Sequence, residues 1–200
     1  MFYSKEIGLA LLLSHFLASF TVGFLFRNYK KDKDELYRNC QGIEKNIPKI
    51  TFHNLGEILG ESIKNSINII LTIGGFIVLF SVIISIFNES HIFNLIANFF
   101  ANFGISENIV KAILSGILEV TNGLKLSSSL HEKSLYINII LSSFILGFGG
   151  ISVMLQVYSV ISKQKLSIKP YIYGKFLQAI FSAIYIIIIL QAFPFLTYPL

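Results

Sequence analysis

Four apolar stretches govern what this chain can become. Residues 7–26, 66–87, 134–162 and 171–190 each match or exceed the roughly 20 residues an α-helix needs to cross a bilayer. Backbone in hydrocarbon must satisfy its own polar groups, so such runs fold as helices. The expectation is an all-α polytopic membrane protein, with about four transmembrane helices in a single membrane domain over residues 1–200. The composition agrees: 54% hydrophobic residues and a mean hydropathy of +0.69 are too apolar for a soluble domain.

The charges then set orientation. Residues 27–50 hold Arg27, Lys30, Lys31, Lys33, Arg38, Lys45 and Lys49, and a second basic group, Lys163, Lys165, Lys169 and Lys175, follows the third run. Basic loops stay in the cytoplasm, so both segments are expected there. The formal net charge of +5 therefore reports topology, and the partner it calls for is the lipid bilayer rather than nucleic acid. The single cysteine, Cys40, lies in the first basic loop and cannot form an internal disulfide. No metal-ligand spacing is visible.

Two flanking segments read as interfacial. In 51–65, Leu55, Ile58, Leu59 and Ile63 recur at helical spacing against Glu57, Glu61 and Lys64, which fits an amphipathic interfacial or re-entrant helix. Residues 88–104 lack Lys and Arg and carry Phe93, Phe99, Phe100 and Phe103, as in an aromatic belt on the non-cytoplasmic side. Gly74-Gly75, midway along the second run, would permit close helix packing or a kink.

Between the second and third runs lies an acid at apparent membrane depth. Ser106 is placed to cap a helix that runs to Glu119 through apolar residues. That helix would have about 13 residues, or roughly 20 Å at 1.5 Å per residue, which is too short for the hydrocarbon core. Thr121, Asn122 and Gly123 follow and favour a turn. Residues 106–130 are therefore expected to form a broken helix or re-entrant hairpin turning near Asn122-Gly123. Ser115, Glu119 and Asn122 stand at i, i+4 and i+7, on one helical face. An intramembrane carboxylate usually faces a protein interior or a wet cavity, and carriers place solute sites beside broken helices. Glu119 would ligate a coupling sodium ion, carry a proton or accept hydrogen bonds from a solute. The competing reading pairs it with Lys111 or Lys125, pinning the hairpin.

The third run carries a polar stripe of Asn138, Ser142, Gly149, Ser152, Gln156 and Ser159, overlaid on Gly147-Phe148-Gly149-Gly150. The glycines offer a hinge, a second break, or a surface for close backbone approach. Gly149, Gly150, Ser152 and Gln156 are candidates to line the same site, against a reading of the stripe as a packing face. His15, inside the first run, reads as a hydrogen-bonded packing residue. No nucleophile–base pair, phosphate loop or metal motif stands out, so neither an enzymatic activity nor a resident cofactor is expected.

The segments Ser-Gly-Ile-Leu-Glu-Val-Thr-Asn-Gly (115–123) and Gly-Phe-Gly-Gly-Ile-Ser with a following Gln (147–156) resemble the bacterial sporulation integral membrane proteins of the nucleoside-recognition Gate-domain class. Leu-Ser-His (13–15) and Gly-Phe-Leu-Phe-Arg (23–27) are similar to a span midway along that family. The resemblance implies a relative of concentrative nucleoside transporters, built from inverted repeats with helical hairpins around a central site. By motif position, the solute-binding role would pass to Glu119 and Asn122, with Ser152 and Gln156 on the second element. The implied task is moving dipicolinic acid, or a nucleoside-like solute, across the outer forespore membrane. A dianionic solute would need Glu119 protonated, cation-paired or aimed at another group. The resemblance covers only the C-terminal half of a typical member. It therefore implies completion by a homo-oligomer or by a separately encoded N-terminal half. The alternative role is a non-transporting sporulation scaffold or assembly protein.

Overall fold

The computed structural model describes residues 4–29, 55–130, 135–162 and 167–197, and among them every regular element is helical. The order is α1 (Lys5–Phe26), α2 (Leu55–Glu89), α3 (Ile92–Ala101), α4 (Glu107–Leu118), α5 (Val120–Ser128), α6 (Leu135–Phe148), α7 (Gly150–Ile161) and α8 (Lys169–Ala192), closed by a 3-10 turn over Pro194–Thr197. Four helices are long and apolar enough to cross a membrane: α1, α2, α8, and α6–α7 taken together over Leu135–Ile161. The protein is an all-α polytopic membrane protein.

One boundary differs from the expectation. From Leu55 onward, the predicted amphipathic helix over 51–65 is continuous with the span over 66–87, in one helix, α2, of 35 residues. No Gly or Pro interrupts Ile63-Lys64-Asn65-Ser66-Ile67, and a change of polarity alone does not stop a helix. Residues 51–54 lie outside the described residues, as do most of the basic loop 27–50, Cys40, and residues 163–166 of the second basic group. No neighbour packs closely on Gly74 or Gly75: α2 continues through them, and a Cβ at either would meet nothing within 4 Å.

The main core lies where α1, α6 and α8 pack together. Ile7, Ala10 and Leu11 meet Ile139, Ile186 and Leu190, with Leu196 of the 3-10 turn closing the cluster. Lipid tails are as apolar as leucine, so helices in membranes associate through small residues and hydroxyls. This bundle does both. The buried Ser143 hydroxyl lies 3.1 Å from Ser14 Oγ and 2.8 Å from Ser182 Oγ, tying α6 to α1 and α8. Gly147 lets α6 approach α8 so closely that a Cβ would stand 2.7 Å from Ala179 Cα. Ser143→Ala should cost about 1 kcal/mol, at the upper side of single hydrogen bonds between membrane helices because it serves two neighbours. A lower unfolding midpoint in detergent checks this, and an unchanged midpoint refutes it.

Against α6 lie α4 and α5, and the C-terminal half of α2 leans on α3, α4 and α7. These contacts bring α2, α4 and α7 around one place in the fold, described next.

Candidate functional site

The first half of the site is a turn made by one residue. α4 ends at Leu118 and α5 begins at Val120, leaving Glu119 alone between them with extended backbone (φ −145°, ψ 122°). Its N–H closes α4 by donating to the Ser115 carbonyl at 2.7 Å. Its side chain opens α5. Oε2 accepts the Asn122 backbone N–H at 2.9 Å, the N-cap geometry, along with the Thr121 hydroxyl at 2.5 Å and Asn122 Nδ2 at 3.2 Å.

The chain reverses at this residue. A Cβ on Gly123 would collide with the Cα and N of Gly116. In a continuous helix those residues would be seven positions and about 10.5 Å apart. α4 and α5 are thus a helical hairpin with Glu119 at its tip. The sequence reading expects the turn near Asn122-Gly123, three residues later. Instead Thr121, Asn122 and Gly123 form the first turn of α5, because the Glu119 carboxylate supplies the cap that starts the helix there. Ser115, Glu119 and Asn122 do not share one helix face. They are the last turn of α4, the tip and the first turn of α5.

The second half is a break in the third span. Phe148 ends α6, and Gly149 and Gly150 follow with φ of +81° and +79°. That left-handed region costs other residues roughly 1–2 kcal/mol each. Residues 134–162 are therefore not one continuous helix. Of the outcomes open for the glycines, the structure has two: Gly147 serves close approach to α8, while Gly149-Gly150 make the break.

The two breaks abut. A Cβ on Gly150 would stand 3.2 Å from Val120 N and 3.3 Å from the carbonyl oxygens of Gly116 and Leu118. Backbone this near, together with a φ of +79°, favours glycine here. The N-terminal ends of α5 and α7 both start at this junction, and each brings backbone N–H groups and the positive end of a helix dipole.

The remaining candidates sit around it. Ser115 is buried in α4, and among the described residues its hydroxyl has no hydrogen-bond partner. Ser152 is buried in the first turn of α7 and accepts Gln156 Nε2 at 3.2 Å. Neither Ser152 nor Gln156 is hydrogen-bonded to the hairpin among the described residues. The earlier members of the polar stripe are engaged in packing: Asn138 Nδ2 donates to the Leu130 carbonyl at 2.8 Å, and Ser142 Oγ lies 2.6 Å from Ser127 Oγ.

The pinning of Glu119 by a lysine is not what the structure has. Lys111 pairs with Glu107 on its own helix at 2.6 Å, and Lys125 points outward from α5. Glu119 is 1% exposed, and among the described residues no basic side chain lies within ion-pair distance of it.

Three participants escaped the sequence reading. Ser81 of α2 accepts Asn122 Nδ2 at 3.0 Å and ties the hairpin to that helix. A serine within an apolar run gave no signal for this. Gly116 matches Gly123 across the tip, and their placement three before and four after Glu119 was visible. Lys175 of α8 reaches Gly149: a Cβ there would stand 3.6 Å from Lys175 Nζ. Its place inside an apolar run was the available signal. A separate groove of about 390 Å³ at the α2–α3 turn, lined by Ser90, His91, Ile92, Asn94, Leu95 and Asn98, shares no residue with the junction.

The junction thus offers a carboxylate with three donors on one oxygen, an unpaired hydroxyl, an amide and two helix N-termini. Such a set can hold a small polar solute or a cation. No family model and no solved structure matches the chain. The chain is similar to the sporulation integral membrane protein YlbJ of Bacillus subtilis (strain 168), at 29% identity over 203 residues covering 94% of the chain, and it spans about half, 50%, of that relative's length.

Proposed function

We propose that this chain transports a small polar or anionic solute across a membrane during sporulation, as the C-terminal half of a Gate-domain carrier. The observation that carries this reading is the contact between two helix breaks, one capped by a buried carboxylate, within a set of membrane-crossing helices. Irregular backbone at membrane depth is tolerated where protein buries it or where it lines a cavity, and carriers bind solutes at such discontinuities. The similarity to a sporulation integral membrane protein supports the setting. Dipicolinic acid or a nucleoside-like compound is the solute class. Sodium or a proton would couple at Glu119, the basic loops would face the cytoplasm, and the outer forespore membrane would be the site of action. A second copy or a separately encoded half would complete the carrier.

Asn122 provides the test, because its amide bridges Glu119 and Ser81. The full chain in proteoliposomes, with and without a partner half, is expected to accumulate labelled dipicolinate or uridine. Asn122→Ala should lower that rate about tenfold, the loss expected for a hydrogen bond to a charged group, with insertion unchanged. Absence of accumulation of either solute under both conditions would remove the transport reading. A wild-type rate in the variant would remove Asn122 from the site.

A further inference from the structure

Lys175 belongs, by sequence, with the basic residues of a cytoplasmic loop. The structure puts it inside α8 and half-buried. Its Nζ donates to Gln178 Oε1 at 3.1 Å, and Gln178 Nε2 lies 3.4 Å from His15 Nε2. His15 is near the middle of α1, and Gly149 is near the middle of the Leu135–Ile161 span. The lysine stem therefore carries its ammonium from near the start of α8 toward the central depth of the bundle, beside the glycine break.

Among the described residues no carboxylate lies within 4 Å of Lys175 Nζ. The group that holds it is a neutral amide. Behind that amide, His15 Nδ1 is a buried polar atom without a hydrogen-bond partner among the described residues. The adjacent α7 N-terminus adds a partial positive charge of the same sign. A cation away from water needs an anion, and these neighbours are donors or neutral groups. The next residue, Gly150, touches the Glu119 turn. The ammonium and the Glu119 carboxylate thus serve one junction without forming a pair.

We propose that Lys175, aimed by Gln178 at the Gly149 break, binds the carboxylate of the transported solute and sets the selectivity of the site for anions. This rests on the transport reading. It also divides the labour within the site. The solute's negative end meets Lys175 and the α7 N-terminus, which leaves Glu119 for a coupling cation or for a donor on the solute. A carboxylate-bearing solute then need not face a bare carboxylate.

Two probes of one shape separate charge from fit: pyridine-2,6-dicarboxylate and the neutral pyridine-2,6-dicarboxamide. Binding of each to the full chain purified in detergent would be measured by calorimetry. Lys175→Met should weaken the dicarboxylate about tenfold to a hundredfold, the range for a charge-assisted hydrogen bond, and leave the dicarboxamide unchanged. Lys175→Arg should restore most of the dicarboxylate affinity, and Gln178→Leu should weaken it severalfold. If the methionine variant binds both probes as the wild type does, or loses both equally, the role of Lys175 is overturned while the transport reading stands. An arginine variant as weak as the methionine variant overturns it as well. Wild-type protein that prefers the dicarboxamide overturns the anion selectivity. If the wild type, alone and together with the partner half, binds neither probe nor uridine, the transport reading itself falls.

Discussion

Glu119→Gln is expected to abolish solute accumulation while the protein still inserts and folds. The carboxylate has two separable tasks. As the N-cap of α5 it accepts the Asn122 N–H, and as a buried acid it brings an ionisable group to the junction. A glutamine carbonyl can still accept from the Asn122 N–H and the Thr121 hydroxyl, so the cap survives. What disappears is the ionisable group. The three hydrogen bonds from Thr121 and Asn122 all fall on Oε2. Glu119→Ala removes both tasks and should cost a further 1 kcal/mol or so of stability through the lost cap. Uptake into vesicles and the unfolding midpoint, measured on both variants, separate the two. A glutamine variant that accumulates solute at the wild-type rate would show that the acid is only a cap.

Gly123→Ala should have the largest effect on stability. The added methyl would overlap the backbone Cα and N of Gly116 and stand 3.1 Å from the Ala112 carbonyl oxygen. These are backbone atoms of the opposing helix, so no side chain can swing aside. The hairpin must splay. Overpacking a core typically costs about 1–3 kcal/mol, and a clash with fixed backbone belongs at the top of that range, about 3 kcal/mol. Gly116→Ala is the graded control, since its Cβ would meet the Ile145 side chain at 2.8 Å, and a side chain can adjust. The expected order of unfolding midpoints in detergent is therefore wild type, Gly116→Ala, then Gly123→Ala. A Gly123→Ala protein that unfolds with the wild type would mean that α4 and α5 do not close on each other as described.

These variants also separate what was legible in the chain from what was not. The acid beside a short apolar helix marked the place where residues 106–130 would break. The tip still lay three residues from where Thr-Asn-Gly pointed. Turn propensity acts on isolated residues, whereas here a side chain capped the following helix and drew Thr121, Asn122 and Gly123 into it. The continuity of 55–65 with the span that follows was not legible for another reason: polarity changes there, but nothing stops the helix.

By itself the sequence determined the helical class and the four membrane-crossing segments. Apolar length suffices for that, because backbone in lipid has no other way to satisfy its hydrogen bonds. It also marked Glu119 and the glycine run as departures from that regularity. Tertiary structure alone decided that the two departures meet, through Gly150 on the Glu119 turn, and that Lys175 turns inward to the same junction rather than out to water. Local spacing carries no record of which breaks will touch. That depends on how close two backbones can come, and here three glycines, at 116, 123 and 150, permit the contact.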